Sequence, residues 1–357
     1  MIPIKSYTGG IKMNSQSLKI VFFSADSGDC FLLVFNNGDM QTTLLIDGGY
    51  RTRYLTKLKN QLLEVYAHEN SSNYIFLTHI DNDHIGGIQA IFEDLTFPRQ
   101  KITSIIFNTT SAIKELTPEA MEEPPIIEIM DSYLTNTSYV SGISLEQKMK
   151  EYDVKVISGI IALSGLKLKD INITFLSPRI ETMKKYKTWI EKEEKRTLTA
   201  TRSNDYNETL EYLKDKIFEE DTSITNASSL SMIIEYMGKR LLFLGDSIPS
   251  DIVASLKELG YSRENKLILD LVKVSHHGSR KNTSNELLNC IVCDNFLIST
   301  DGTKHEHPSK ETLARIINSQ SNPTLIFNYD LIKTIFSKEE LDSLAFKTLL
   351  EKEVTII

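Results

Sequence analysis

An apolar strand that runs directly into a cluster of metal-binding side chains is the feature that most constrains this sequence. Residues 74–78 have the length and the composition of a buried strand. Four side chains that commonly bind metal ions follow within six positions: His79, Asp81, Asp83 and His84. Two glycines then lead into residues 88–95, which read as a helix. Because a strand-to-helix turn can aim several side chains at one point, this density of imidazole and carboxylate favours zinc, manganese or iron.

The same residues also fit a purely structural role, because turns after strands are often rich in Asp and Asn. In that interpretation Asp83 caps the following helix and binds no metal. The rest of the chain separates the two interpretations, since a metal site needs further ligands and a turn does not.

Composition places the chain among folded globular proteins, and its charge limits what it can bind. Of 357 residues, 41% are apolar and 25% are charged, which suits one large domain or two ordinary ones. The net charge of −8 argues against a broadly basic nucleic-acid-binding surface. This charge is compatible with a local metal site that binds a phosphodiester, because the metal ions bring their own positive charge.

Hydropathy and cysteine content indicate the compartment. No apolar run approaches the roughly 18 residues that a membrane span requires, and residues 1–17 lack the apolar block of a secretion signal. Three cysteines do not make a disulfide framework. We therefore expect a cytoplasmic protein that does not associate with membranes.

Polar residues recur at the carboxyl ends of predicted strands throughout the chain. Besides the cluster described above, three further strands end in such residues: Asp47, Asp246, and the pair His276 and His277. The last of these strands is predicted over residues 268–274. Strands and helices alternate in two successive sets, which predicts an α/β fold of layered sheets covered by helices. Because strand ends along one sheet edge can meet, the separate clusters can form a single site.

Two stretches depart from the regular alternation and are interpreted as insertions. Residues 108–165 are interrupted by two consecutive prolines. Residues 182–222 carry mixed Lys and Glu around the lone tryptophan, which is typical of a solvated helix face. We predict a single domain over residues 1–357, with a core of about residues 18–330.

The motifs resemble the metallo-β-lactamase superfamily. Its second motif is commonly HxHxDH and corresponds here to His79-x-Asp81-x-Asp83-His84. Asp47 resembles the aspartate of the first motif, Asp246 the later bridging aspartate, and His277 the final histidine.

Further details are similar to one branch, the metallo-β-lactamase-like domain of ComEC-type competence proteins and their free-standing relatives. The features in common are Gly28-Asp29 before a strand, Asn226-x-x-Ser229-Leu230, His276-His277-Gly278-Ser279 and His307-Pro308-Ser309. The resemblance spans residues from Leu18 to about Ile317.

The resemblance implies an αββα sandwich with a dinuclear metal site that activates a bridging hydroxide. The two divalent ions would be zinc or manganese, with iron also possible. Carried over residue by residue, the resemblance implies these ligands: His79 and Asp81 for the first ion, Asp83, His84 and His277 for the second, and Asp246 for both.

The resemblance also implies roles around the metals. Asp47 would orient a ligand imidazole. Asp81 or Asp83 would orient the hydroxide, and His276 would lie near the phosphoryl group as a donor of a hydrogen bond or proton. The resemblance implies structural or electrostatic roles, or positions at the rim of the substrate site, for Lys273, Ser279 and His307. For the last of these, a surface position ahead of a helix start is an equal alternative.

Two positions depart from the family pattern. Asp81 stands where most members have a histidine, and the extra carboxylate makes manganese and iron more favourable beside zinc. Ser177 stands at the strand end that corresponds to the third motif, where the family usually supplies a histidine to the first metal. Since a hydroxyl is a poor ligand, this metal would be completed by water or weakly held.

The leading hypothesis is a metal-dependent phosphodiesterase, either a nuclease acting on DNA or RNA or an enzyme acting on a small nucleotide. Asp81 and the double histidine favour phosphoester chemistry. A hydrolase of lactams, lactones or thioesters is the first alternative, because the fold supports carbonyl chemistry as well. The second is a non-catalytic subunit of a larger complex, which would contact a protein partner through the two insertions.

Overall fold

The chain folds into two compact units, each with its own large sheet and hydrophobic core. The computed structural model describes residues 16–115, 126–127, 140–191 and 204–356. Unit 1 consists of Met1–Ser111, Asp131–Ser158 and Glu351–Ile357. Unit 2 consists of Ala112–Met130 and Gly159–Leu350.

Strands and helices alternate along much of the described chain. The strands are β1 (Ser17–Phe22), β2 (Phe31–Asn37), β3 (Met40–Ile46), β4 (Ser71–Phe76), β5 (Ile102–Ile106), β6 (Ile126–Ile127), β7 (Val156–Ile157), β8 (Gly165–Leu168), β9 (Ile171–Ser177), β10 (Ser231–Tyr236), β11 (Lys239–Phe243), β12 (Leu267–Leu269), β13 (Leu271–Lys273), β14 (Ile291–Cys293), β15 (Asn295–Ile298), β16 (Thr324–Phe327), β17 (Lys347–Leu350) and β18 (Glu353–Thr355). The helices are α1 (Lys59–Tyr66), α2 (Asn82–Glu93), α3 (Thr110–Glu115), α4 (Val140–Glu151), α5 (Ile180–Glu191), α6 (Leu210–Leu213), α7 (Ile224–Ala227), α8 (Pro249–Glu258), α9 (Asn285–Asn289), α10 (Lys310–Ser319), α11 (Ile332–Ile335) and α12 (Lys338–Asp342).

The sheet of unit 1 brings several strand ends to one edge. Its order is β18-β1-β2-β3-β4-β5-β7. Strand β2 is antiparallel to both β1 and β3, whereas β3, β4 and β5 run parallel to one another. Antiparallel pairing puts Phe31, the first residue of β2, opposite Ile46, the last residue of β3. The carboxyl ends of β3 and β4 and the amino end of β2 therefore lie at the same edge.

Helix α2 covers this sheet with an apolar face. Ile85, Ile88 and Ile91 recur at helical spacing, and all three are fully buried. They belong to the same core as Ile75 of β4. Each such side chain contributes about 1.5–3 kcal/mol when it is removed from water. This packing holds α2 against the strand that precedes the metal-binding motif.

Glycines allow α2 to approach the turn after β3 closely. A Cβ on Gly87 would lie 2.0 Å from the carbonyl oxygen of Gly48. Main-chain hydrogen bonds cross the same contact: Gly48 N donates to His84 O at 2.7 Å, and Gly87 N donates to Gly49 O at 3.0 Å. The glycines thus bring the turn that carries Asp47 next to the first turn of α2.

We expect Gly87→Ala to destabilise the protein, although alanine is the better helix former. The added Cβ would force α2 away from the turn after β3, at a cost of about 1–3 kcal/mol. Gly142→Ala in α4 is the matched control, because a Cβ there would meet no atom nearer than 3.6 Å. That change should be neutral or should stabilise by up to about 1 kcal/mol. Urea titrations give both free energies of unfolding, and equal effects would contradict the importance of the close approach.

The sheet of unit 2 also brings several strand ends to one edge. Its order is β17-β16-β15-β13-β11-β10-β9-β8-β6. Strands β11, β13, β15, β16 and β17 run parallel, and β10 is antiparallel to β11. Met232 near the start of β10 pairs with Phe243 at the end of β11. The amino end of β10 therefore lies at the same edge as the carboxyl ends of β11 and β13.

The single strand predicted over residues 268–274 is wrong, because the chain changes sheets at Asp270. Strand β13 joins the main sheet of unit 2, whereas β12 pairs with β14 in a separate two-stranded sheet. The Asp270 carboxylate accepts hydrogen bonds from Arg240 N at 2.9 Å and from Lys239 Nζ at 3.1 Å. Its own N donates to Arg240 O at 2.8 Å. These bonds to the start of β11 interrupt the strand.

Both stretches interpreted as insertions contain regular structure where they are described. Within residues 108–165, β7 pairs with β5, and Leu145 and Met149 of α4 belong to the core of unit 1. Within residues 182–222, Leu213 of α6 is fully buried. Residues 116–125, 128–139 and 192–203 of these stretches lie outside the described residues. The boundaries of the core and of the insertions stay predictions.

The predicted α/β class is confirmed. The chain combines helices with several sheets, which is consistent with the fold that the resemblance implies. Within the described residues, no helix has both the length and the apolarity to cross a bilayer.

Candidate metal centre

Asp47, in the turn after β3, organises the polar cluster of unit 1. Its φ of 58° lies in the left-handed region, which Asp adopts more readily than most residues. Its Oδ1 accepts a hydrogen bond from Thr78 N at 2.8 Å. Its Oδ2 accepts from Thr78 Oγ1 and from His84 Nδ1, each at 2.8 Å. The carboxylate thereby fixes the His84 ring and leaves Nε2 as the atom through which this residue could bind a metal.

Thr78 extends the network to His79. Because the Thr78 hydroxyl donates its proton to Asp47, the same oxygen accepts from His79 Nδ1, 3.0 Å away. The ring centroids of His79 and His84 are 4.1 Å apart. Oδ2 of Asp81 lies 3.6 Å from His79 Nε2. Both imidazoles are buried, and each uses Nδ1 within the protein.

Asp29 is a candidate ligand that sequence reading missed. Its side chain is buried, and a carboxylate oxygen lies within 4.8 Å of a ring nitrogen of His84. Asp29 N donates to Asp83 O at 3.1 Å, and Asp29 O accepts from Gly49 N at 2.8 Å. The turn before β2 is therefore tied both to the start of α2 and to the turn after β3. The available signal was its position before β2, a strand that begins at the edge where β3 ends.

Asp81 and Asp83 occupy more accessible positions than the buried members of this cluster. Asp81 precedes α2, its carbonyl oxygen accepts from His84 N at 2.9 Å, and its side chain is 41% exposed. Asp83 lies in the first turn of α2, where the helix dipole favours a carboxylate. Both stand beside the histidines, where solvent can reach them.

Asp246 is buried and follows β11 after Leu244 and Gly245. Its N donates to Ser229 Oγ at 3.3 Å, and its O accepts from Asn282 Nδ2 at 3.1 Å. The preceding carbonyl oxygen, that of Gly245, accepts from Lys273 Nζ at 3.0 Å. The buried Lys273 thus supports the turn that carries Asp246.

His276 and His277 are consecutive residues with left-handed backbones, at φ of 46° and 54°. Such strain in non-glycine residues is concentrated at functional sites. His277 is buried, and its Nδ1 donates to Ser299 O at 3.0 Å. Its Nε2 lies 3.9 Å from Asp246 Oδ2. His277 and Asp246 therefore form a metal-capable pair within unit 2.

His276 stands between two carboxylates. Its Nδ1 lies 3.1 Å from Asn282 Oδ1 and 3.4 Å from Asp221 Oδ2, and its Nε2 lies 3.7 Å from Asp246 Oδ2. Burial acts to lower the pKa of His276, but the negative charges of Asp246 and Asp221 outweigh it and raise this pKa above its ordinary value. Burial acts to raise the pKa of Asp221, yet the hydrogen bond and charge of His276 hold it well below its usual range. The arrangement favours the imidazolium form of His276.

The loop before α10 packs against His276. The ring centroids of His307 and His276 are 5.0 Å apart, and His307 is buried. Burial, and then the neighbouring histidines, lower the pKa of His307 well below its ordinary value, so the ring is neutral. Ser309 N donates to Gly278 O at 2.9 Å and joins this loop to the turn after His277.

Two serines predicted near the site make structural hydrogen bonds. Ser279 Oγ accepts from Lys281 N at 3.3 Å and shapes the turn that follows the histidines. Ser177 is fully buried at the end of β9, and its Oγ donates to Ser229 O at 2.7 Å. Ser231 N donates to the same Ser177 oxygen at 3.1 Å. The Ser177 hydroxyl therefore joins β9 to β10.

The donor groups in both units suit divalent metal ions. His79, His84 and His277 each engage Nδ1 in a hydrogen bond, as metal-binding histidines commonly do. Asp29 and Asp246 add buried carboxylates. Imidazole nitrogen combined with carboxylate oxygen suits zinc, manganese or iron. Each unit, taken by itself, offers ligands to a divalent ion.

One stretch of the chain matches a known family. Residues 24–137 match the model of the Metallo-beta-lactamase superfamily. The chain contains a metallo-beta-lactamase superfamily domain. The matched stretch includes Asp29, Asp47 and the motif from His79 to His84. Members of the metallo-beta-lactamase superfamily are mostly metal-dependent hydrolases and typically bind divalent metals.

Several solved structures resemble this protein over most of its length. The metallo-beta-lactamase fold protein YhfI from Bacillus subtilis is 14% identical, with a TM-score of 0.40, over 96% of this chain and 99% of its own. Zn(2+)-bound PqqB from Methylobacterium extorquens is 11% identical, with a TM-score of 0.41, over 95% of this chain and 99% of its own. A long form RNase Z from yeast is 12% identical, with a TM-score of 0.35, over 88% of this chain and 37% of its own. No curated protein matches the sequence significantly.

Proposed function

We propose that this protein is a metal-dependent phosphodiesterase whose substrate is DNA, RNA or a small nucleotide. In its motifs and chemistry it would resemble the metallo-β-lactamase-like domain of ComEC-type proteins and their free-standing relatives. We propose two divalent ions, zinc or manganese, with iron also compatible. Within unit 1 the candidate ligands are Asp29, His79, Asp81, Asp83 and His84, and within unit 2 they are Asp246 and His277.

The bound ions and the side chains around them would have different roles in the reaction. Bound divalent ions would supply Lewis acidity, which lowers the pKa of water and neutralises charge on a phosphoryl oxygen. Asp81 and Asp83 would orient the attacking water. The attacking water would release one proton to solvent, its oxygen would bond to phosphorus as the bond from phosphorus to the leaving oxygen breaks, and His276 Nε2 would deliver a proton to that leaving oxygen.

The observation that carries this proposal is the placement of His276. Its ring lies between the carboxylates of Asp221 and Asp246, with Nε2 3.7 Å from Asp246 Oδ2. The negative charge of Asp221 on the Nδ1 side favours the protonated ring, which is the form that can donate to a leaving alkoxide. A phosphodiester has a poor leaving group, and a proton donor in this position contributes about 100- to 10,000-fold to the rate.

The cysteines and the net charge support proposals about the cellular location and the kind of substrate. The cysteines Cys30, Cys290 and Cys293 are buried free thiols, which is compatible with the reducing cytoplasm that we propose as the location. The net charge of −8 favours a substrate held by metal ions over one held by a broad basic face. For any protein partner, we propose residues 108–165 and 182–222 as the contact surface.

Hydrolysis assays with a metal-loaded protein test the proposal. We expect turnover of bis-p-nitrophenyl phosphate and of single-stranded DNA with manganese or zinc, loss of activity in EDTA, and recovery when metal is added back. Nitrocefin and a thioester serve as parallel substrates. Turnover of these two alone would identify a carbonyl hydrolase. A protein that binds metal and hydrolyses none of the four would be non-catalytic, and the proposal would be wrong.

A further inference from the structure

The carboxylate of Asp221 lies on the Nδ1 side of the His276 ring, whereas Asp246 lies on the Nε2 side. We propose that Asp221 is a positioning residue, which holds this ring so that Nε2 faces the leaving group of the phosphodiester. The inference rests on the proposed function, because it assigns Asp221 a part in the same reaction. Asp221 belongs to the charge-rich stretch of residues 182–222, which sequence reading interprets as a solvated insertion.

Asp221 is fixed from several directions. Its Oδ1 accepts a hydrogen bond from Ser223 N at 3.0 Å. Its Oδ2 accepts from Asn226 Nδ2 at 2.7 Å and from Asn282 Nδ2 at 3.2 Å. Its own N donates to Lys281 O at 3.1 Å. The side chain is only 13% exposed, so the carboxylate is a rigid acceptor in a defined place.

The position of His276 depends on the same network. Two acceptors face its Nδ1, Asn282 Oδ1 at 3.1 Å and Asp221 Oδ2 at 3.4 Å, and together they favour a proton on this nitrogen. His276 N donates to Gly245 O at 3.0 Å, which fixes the backbone below the ring. These contacts direct Nε2 to the side on which Asp246 lies.

A competing arrangement shows why the charge of Asp221 matters. Asn226 Nδ2 lies 3.3 Å from His276 Nδ1, and an amide donor in this position would favour an unprotonated Nδ1. Asp221 accepts from this amide at the shorter distance of 2.7 Å and competes with the ring as its acceptor. In Asp221→Asn, a second amide donor could turn toward the ring, and the two tautomers of His276 would become comparable in energy.

Two diesters that differ only in their leaving group test the proposal. We would compare Asp221→Asn with the native protein on thymidine phosphodiesters of p-nitrophenol and of phenol, since p-nitrophenolate leaves readily without a proton and phenolate does not. We expect kcat for the phenyl ester to fall about 10- to 100-fold and kcat for the p-nitrophenyl ester to fall less than about threefold. Metal content measured by mass spectrometry should not change. Equal losses on both diesters would overturn the proposal.

A positioning residue acts only through the group that it positions. His276→Gln alone should reproduce the loss that depends on the leaving group. Adding Asp221→Asn to that variant should change kcat by less than about twofold, because the two residues act as one unit. A further loss of about tenfold in the double variant would show that Asp221 acts independently of His276, and it would contradict the proposal.

Asp205→Asn is the matched control for loss of a buried carboxylate from the same stretch. Asp205 is 7% exposed and accepts hydrogen bonds from Lys310 N at 2.9 Å and from Glu311 N at 3.0 Å. Its replacement should lower the unfolding temperature but leave the ratio of the two kcat values unchanged. If Asp205→Asn changes this ratio as much as Asp221→Asn does, the effect is a general loosening of the stretch and the proposal is wrong.

Nitrogen NMR of histidine-labelled, zinc-loaded protein detects the tautomer of His276 without any turnover. At alkaline pH we expect the Nδ1–H form in the native protein and in Asp205→Asn, and a mixture of tautomers in Asp221→Asn. His276→Gln assigns the signal. If the native protein hydrolyses neither diester, the proposed function fails, but this measurement still decides the role of Asp221. An unchanged His276 signal in Asp221→Asn would overturn that role.

Discussion

Replacing His277 with asparagine should remove bound metal and lower kcat/KM for phosphodiesters by about a thousandfold or more. The change deletes the imidazole whose Nε2 lies 3.9 Å from Asp246 Oδ2. Loss of the ion removes Lewis acidity worth several kcal/mol, and each ~1.4 kcal/mol corresponds to a factor of ten. Asparagine tolerates the left-handed backbone at this position, so the fold should be retained. Metal analysis by mass spectrometry and kinetics with bis-p-nitrophenyl phosphate measure the two effects.

His305→Asn is the matched control for this substitution. His305 has the same φ of 54° as His277 but is exposed. We expect its replacement to leave metal content unchanged and kcat/KM within about twofold of the native value, as is usual for surface substitutions. If His277→Asn retains its metal and its rate, the assignment of His277 as a ligand is wrong.

Replacing Asp29 with asparagine should weaken metal binding and lower kcat/KM by about a hundredfold. The substitution keeps the size of the side chain and the main-chain hydrogen bonds to Asp83 and Gly49, so that the turn before β2 is preserved. It removes a buried negative charge whose oxygen lies within 4.8 Å of a ring nitrogen of His84. Mutation of a residue that contacts a metal ligand typically lowers metal affinity or activity about 10- to 100-fold. Mutation of a direct ligand should reach the upper end of this range. Competition with a chromophoric chelator measures the metal affinity.

Asp26→Asn controls for loss of a carboxylate from the same turn. Asp26 also has a left-handed backbone, with φ of 60°, and it pairs with Arg53 at 2.6 Å. Its side chain is 25% exposed, and such ion pairs contribute about 0–1 kcal/mol to stability. We expect an unchanged metal affinity in this variant. If Asp29→Asn also leaves the metal affinity unchanged, Asp29 is a structural residue and not a ligand.

The residues that follow strands could be predicted from the sequence, because a strand end is visible where an apolar run stops. Asp47 after β3 and Asp246 after β11 are of this kind. Each of these strands has a parallel neighbour, β4 and β13 respectively, so that the carboxyl ends meet at one edge of each sheet. The α/β class follows from the same alternation of apolar runs and amphipathic stretches.

Residues that precede strands or helices could not be placed in this way. Asp29 comes before β2 and reaches the edge only because β2 is antiparallel to β3, a pairing that local sequence does not specify. Asp221 comes before α7 in a charge-rich stretch, and its contacts with Asn226, His276 and Asn282 join it to the site. Two of the three contact partners lie more than fifty residues further along the chain.

The break in the strand predicted over residues 268–274 has a similar origin. The stretch is mostly apolar, and its two charged residues are Asp270 and Lys273. The break depends on hydrogen bonds from Arg240 and Lys239, about thirty residues earlier in the chain. Periodicity can indicate that a stretch is extended, but it cannot show that its two halves pair in different sheets.

The consecutive left-handed residues His276 and His277 affect how this protein can evolve. A left-handed backbone costs a residue with a Cβ roughly 1–2 kcal/mol, so the rest of the fold must offset about twice that amount. Glycine at both positions would relieve the strain, whereas valine or isoleucine would increase it. Mutation under selection for stability alone would therefore tend to discard both imidazoles. Persistence of the pair in a lineage would indicate that the organism still depends on the reaction.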